Sequence, residues 1–146
     1  MNKHDAALAV NKDFVYTSDK GESWNILKPD SSGKLRGDCE DYSLTVLHRI
    51  AGGSSFKFWF YLLTFQAVVW HCVTAQKEQH AQLWFRGQWI DNINSTWSKK
   101  QQHSLRFPYP FPLVAYRMLT SKLPLWVANT GLVAICSTPL VLELIK

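Results

Sequence analysis

The clearest periodic signal runs from residue 38 to 53. Apolar residues recur at Leu44, Leu47 and Ile50, with Val46 alongside, which is the spacing of one helix face. Asp38 is a good N-cap, and Asp41, three residues on, gives a capping-box-like start. Gly52-Gly53 supplies a C-terminal stop. The pattern predicts a helix over about 39–51. The next stretch, Ser54 to Trp70, is almost wholly apolar, and its period does not fix its type. Ser54 or Ser55 can cap a helix reaching about Gln66, read here as a buried helix. Its uncharged part, Phe58 to Trp70, is short of the roughly 20 residues that a membrane span needs.

Strand chemistry follows. Val68 to Ala75 is rich in β-branched and aromatic residues. His80–Phe85 and Gln88–Ile93 flank Arg86-Gly87, which predicts a hairpin with a tight turn, beside the Val68–Ala75 strand. In that register Phe85 faces Gln88, Trp84 faces Trp89, Leu83 faces Ile90 and Gln82 faces Asp91. Phe107-Pro-Tyr-Pro-Phe-Pro112 reads as an extended segment that cannot donate a regular ladder. Residues 11–38 are polar and turn-rich, held to the core by Trp24, Ile26 and Leu27.

Composition narrows the class. The chain has 146 residues, 47% hydrophobic and 18% charged, which fits one folded domain and excludes intrinsic disorder. Three cysteines make no disulfide framework and fit a reducing compartment. The net charge of +5 is scattered, its longest run being Lys99-Lys100, so no nucleic-acid partner is expected. Residues 1–10 lack the apolar run of a secretory signal, so the expected location is cytoplasmic. Leu123 to Leu142 is 20 residues without a formal charge. Its length and flanking Arg117, Lys122 and Lys146 suit a C-terminal membrane anchor. Its prolines and polar residues also suit a buried terminus or a contact with another protein, such as a virion component.

The chemistry centres on Gly37-Asp38-Cys39-Glu40-Asp41-Tyr42. A cysteine in the first helical turn faces unpartnered N–H groups and the positive end of the helix dipole, and both favour a thiolate. The plain alternative is a small buried residue at a helix start. The acids Asp38, Glu40 and Asp41 oppose a thiolate, so something must offset them: a histidinium, Arg36 or a bound cation. In the hairpin, His80 and Gln82 share one strand face, and Asp91 lies diagonal to His80 on that face. A carboxylate there fixes the imidazole tautomer and leaves the other nitrogen for a nucleophile. A one-residue slip would leave His80 an ordinary exposed histidine. Adjacent His71 and Cys72 point to opposite faces, Cys136 lies in the apolar tail, His48 is too far along the helix from Cys39, and His103 sits in a polar loop and reads as solvated.

These residues carry a resemblance. Gly37-Asp-Cys-Glu-Asp-Tyr42, His80-Ala-Gln-Leu-Trp84 and Ile90-Asp91-Asn92, with Asp19 and Trp24 upstream, resemble the bacterial transglutaminase-like cysteine peptidases of the papain-like superfamily, in a compact bacteriophage-type form. The resemblance covers about residues 12–116. It divides the chain into a peptidase domain, 1–116, and an apolar tail, 117–146. It implies an α+β fold with the nucleophile helix packed on an antiparallel sheet. Cys39 would be the nucleophile, His80 the general base and acid, and Asp91 the orienting carboxylate. The implied reaction is acyl transfer from a protein or peptide substrate through a thioester, to water or, as in a transglutaminase, to an amine. Asp38 and Glu40 match the positions at which some members hold calcium. A silent structural or membrane-attached protein with the same fold is the alternative from another class.

Overall fold

The computed structural model describes residues 2–18 and 23–121. Four helices, a four-stranded antiparallel sheet and a two-stranded parallel ribbon make up these residues, a mixed α/β architecture.

The first helix, α1 (Lys3–Asn11), starts at Asn2, whose side chain accepts from the Asp5 N–H at 2.9 Å. Its buried face is Ala6, Ala7 and Val10, small enough for α1 to lie close against the second helix. Two short strands that the sequence pattern did not mark come from the polar, turn-rich stretch 11–38: β1 (Phe14–Tyr16) and β2 (Leu35–Gly37) pair in parallel. Each has only three residues, too few for alternation to register.

The second helix, α2 (Cys39–Ile50), is the predicted one. The Asp38 carboxylate accepts from the Asp41 N–H at 3.0 Å, and the Gly53 N–H returns to the His48 carbonyl. Gly52 and Gly53 both have positive φ, the conformation that such a stop requires. The helix buries Tyr42, Leu44, Val46 and Leu47, and it also buries polar side chains four apart, Asp41 and Thr45. These two carry the backbone of the upstream segment: the Asn25 N–H donates to Asp41 Oδ1 at 2.6 Å and the Leu27 N–H to Thr45 Oγ1 at 2.8 Å. The anchors Trp24, Ile26 and Leu27 pack on the core as expected.

The third helix, α3 (Ser55–Leu63), is capped by Ser54 and ends three residues earlier than expected. It is not a buried helix. Phe58 and Leu62 are buried, but Phe56 is 79% exposed, and Phe60 and Leu63 are exposed too. Its apolar residues run all round the helix, while the core contacts only one side, so the surplus faces out.

The sheet has the order β5-β4-β3-β6, with β3 (Ala67–Val73), β4 (Gln79–Phe85), β5 (Gln88–Ile90) and β6 (Ser104–Pro108). The hairpin register is the expected one, with Leu83 opposite Ile90, Trp84 opposite Trp89 and Phe85 opposite Gln88. Arg86 and Gly87 both have positive φ, as a type I′ turn demands. The second hairpin strand stops at Ile90 rather than Ile93, because Asp91 turns the chain: its Oδ1 accepts from the Ile93 and Asn94 N–H groups at 2.8 and 2.7 Å. The Phe107–Pro112 segment also differs from expectation. Its start joins the sheet as part of β6, where Pro108 pairs with Trp70 and the Tyr109 N–H donates to the Val69 carbonyl. Its end opens α4 (Phe111–Thr120), with Pro112 in the first turn. Edge strands and first helical turns are the two places where a missing N–H does least harm. α4 runs on past position 116, and the apolar stretch 123–142 with Cys136 lies outside the described residues. Among the described residues no helix is long and apolar enough to cross a membrane.

Gly37 joins β2 to α2 at close quarters. A Cβ there would lie 2.6 Å from Asp41 Oδ2 and 2.8 Å from both Asp41 Cβ and Leu27 Cδ2. Gly37→Ala therefore has to push the Asp41 side chain off the Asn25 N–H. The expected loss is about 1–3 kcal/mol, the usual range for overpacking. Urea unfolding at pH 7 measures it, and an unchanged midpoint would mean that the contact relaxes freely.

Candidate functional site

α2 packs on β4 and so brings its first turn against the start of that strand. Cys39, His80 and Tyr16 line two cavities, one of about 220 Å³ with Asp38, Glu40, His71 and Tyr109, and one of about 400 Å³ with Thr74, Glu78 and Asn92. The cavity of about 660 Å³ contains none of Cys39, His80 or Asp91, and Trp24 borders both it and the 220 Å³ cavity.

The three residues singled out by the sequence lie together. Cys39 is buried at the first position of α2. His80 is paired across the ladder with Cys72, whose thiol donates to the His80 carbonyl at 3.4 Å. The His80 ring directs Nε2 at Asp91, 3.8 Å from Oδ2. That leaves Nδ1 as the imidazole's other nitrogen. His80 is 6% exposed and Asp91 is fully buried. At 3.8 Å the contact is too long for a hydrogen bond, and His80 Nε2 has no partner.

Asp91 is heavily engaged. Besides the two loop N–H groups on Oδ1, its Oδ2 accepts from Gln82 Nε2 at 3.1 Å, the cross-strand neighbour expected from the register. Asn94 Nδ2 reaches both oxygens at 3.3 Å. Burial pushes the Asp91 carboxyl up, but the His80 imidazole and the Asn94 donors outweigh it and hold the group well below the usual carboxylate range.

His103 is the residue that sequence reasoning misplaced. It is not solvated: its side chain is 10% exposed and its Nε2 lies 3.0 Å from Asp91 Oδ2. Because β5 and β6 occupy opposite edges of the sheet, the chain from Asp91 to Ser104 crosses the sheet end, and this crossing carries His103 inward. The His80 and His103 rings meet edge-to-face, with centroids 5.2 Å apart. A histidine just before a β-rich edge segment was the available signal, obscured by the polar run Lys99–Gln102.

The thiol is held in a different way. Cys39 Sγ donates to Glu40 Oε2 at 2.8 Å, and Tyr109 Oη donates to Glu40 Oε1 at 3.0 Å. His71 Nδ1 lies 3.1 Å from the same phenol. Since the phenolic proton goes to Glu40, His71 Nδ1 is the donor in that pair. The Phe107 ring stacks on His71 and Trp24 meets Tyr109 edge-on, fixing the clamp. Burial, then the Glu40 charge and its hydrogen bond, push the Cys39 thiol far up, and the Asp38 charge adds to this. A hydrogen bond from the Ala81 backbone works the other way. Arg36, one of the candidate offsets, is spent on Asp30, with Nε at 2.8 Å from Oδ2.

Asp38 caps its own helix and Glu40 holds the thiol and the phenol, so the pair matched to calcium is already engaged with protein groups. Among the described residues, the group of three or more metal-ligating side chains within 4.8 Å of one another is His80, Asp91 and His103. Asp19 lies outside the described residues. No protein-family model matches the chain, and no curated protein matches it.

The Asp91 carboxyl is lower when folded than when unfolded, so its contribution to stability is present above the unfolded value near pH 4. That contribution is lost as pH falls through the folded value. Asp91→Asn should lower stability at pH 7 and flatten the loss between pH 5 and pH 3. Urea midpoints for both proteins across that range test this; parallel curves would contradict it.

Proposed function

We propose that the protein is a papain-like or transglutaminase-like cysteine hydrolase that cleaves a peptide or amide through a thioester. The observation that carries the proposal is that a cysteine in a first helical turn and a strand histidine backed by a buried carboxylate line the same cavities. In the reaction, His80 Nδ1 takes the thiol proton while Nε2–H faces Asp91. Sγ bonds to the substrate carbonyl carbon. The developing oxyanion meets first-turn N–H groups of α2, which have no intrahelical acceptor. The imidazolium passes its proton to the leaving amine, and water then releases the acid from the thioester. An amine in place of water would give transamidation with the same residues.

The resting clamp on Cys39 sets a condition. Glu40 must leave Sγ before the thiol can reach an imidazole, so substrate entry has to draw it away. The same contact supports a second reading, a silent structural protein whose thiol stays locked by Glu40 and burial.

Alkylation rates of Cys39 distinguish the two. In the wild type, labelling at pH 7 is expected to be slower than for a free thiol, because the raised pKa leaves little thiolate. Glu40→Gln removes the repulsive charge and should speed labelling by at least about tenfold, one pKa unit being a factor of ten in thiolate. His80→Ala in the Glu40→Gln background should reverse much of that gain, and calcium added to the wild type should reproduce the effect of Glu40→Gln if it engages the two acids. If His80→Ala changes nothing in either background, the imidazole does not serve the thiol and the silent reading stands.

A further inference from the structure

We propose that His80, Asp91 and His103 form a binding site for one zinc-class divalent cation, and that the ion shuts off the Cys39–His80 pair. Three observations carry this. Both imidazoles aim Nε2 at the same carboxylate oxygen, at 3.8 and 3.0 Å. All three ligand atoms lie within 4.8 Å of one another. Finally, His80 Nε2 is buried with no hydrogen-bond partner, and so points at a place where it makes no bond to the protein.

The spacing suits a metal better than it suits a protein-only contact. Zinc binds imidazole nitrogen and carboxylate oxygen at about 2.0–2.2 Å, which puts tetrahedral ligand atoms about 3.4 Å apart. The two imidazole-to-carboxylate separations bracket that value. Two imidazoles with one carboxylate select a borderline transition ion over calcium or magnesium, which favour all-oxygen shells. Three protein ligands leave a fourth position for water. The surroundings already supply outer-shell order: Gln82 and the Ile93 and Asn94 N–H groups orient the carboxylate.

The consequence for chemistry follows from the imidazole's two nitrogens, and it rests on the hydrolase reading. A metal on Nε2 takes that lone pair and places the ring proton on Nδ1. Nδ1 then has no lone pair with which to receive the thiol proton, and Asp91 no longer faces an Nε2–H. Ion occupancy and acyl transfer therefore exclude one another at His80.

Cobalt(II) titration of the full-length protein, followed by visible absorption and calorimetry, tests the site. The expected result is one equivalent bound, with ligand-field bands and no intense near-ultraviolet thiolate band, displaced by zinc. Cys39→Ser should leave binding unchanged. Since losing even an outer-shell partner costs about 10- to 100-fold in metal affinity, His103→Gln should weaken binding at least that much. No binding by the wild type, a thiolate band, or full affinity in His103→Gln would overturn the proposal. If His103→Gln does not fold, the wild-type spectrum alone decides. Binding with an inert Cys39 would leave the metal site standing and remove the hydrolase reading; a His80-dependent thiol with no metal uptake would do the reverse.

Discussion

A fully buried carboxylate organises this end of the molecule. Asp91 has no surface in contact with water, so its two oxygens must be satisfied by protein. One oxygen takes the N–H groups of the turn that ends β5, and the other takes Gln82 from β4 and His103 from the chain entering β6. A single charge thus fixes where the hairpin stops, how the crossing loop returns and which way two imidazoles point. Removing the charge leaves these donors facing a neutral group, whereas moving it by one residue would turn it to the other sheet face. The convergence of β4, β5 and β6 at the site is in this sense a solvation requirement, met by the protein instead of water.

The neighbouring acid works in the opposite direction. Glu40 also lies in the cleft, where it accepts from a thiol and a phenol, and its charge raises the cost of ionising Cys39. The helix dipole at the start of α2 is worth roughly 0.3–1 kcal/mol to a nearby anion. Against burial and an adjacent carboxylate that is too little. A helix start therefore does not make a cysteine reactive by itself. What decides is which group accepts the thiol's hydrogen bond, and here it is the Glu40 carboxylate.

The parts of the fold that were legible share one property: their signals are local. The α2 pattern, its caps and the Arg86-Gly87 turn each lie within a few residues, and the turn fixes the register that sets Gln82 opposite Asp91. What escaped depends on long-range placement. Three-residue strands such as β1 and β2 are too short to show a period, and the prolines of 108–112 hid both an edge strand and a helix start. The exposed face of α3 escaped because composition gives hydrophobicity but not what lies opposite. His103 escaped for the same reason, since its role comes from a loop that crosses the sheet end.

His103 also changes what the buried pair means. A lone histidine against a carboxylate is a sufficient orienting device for a nucleophile. Two histidines sharing one carboxylate oxygen compete for it, and the one with the shorter contact, His103 at 3.0 Å, leaves the other at 3.8 Å. His80 is thereby held near its partner without being bonded to it, a buried donor in search of an acceptor. That is a costly state for a residue with only an orienting role. Under the proposed hydrolase the ring would turn to take Asp91, and under the proposed metal site a cation would fill the space between the three ligand atoms. Both proposals draw on the same carboxylate oxygen, and the second imidazole is what sets them apart.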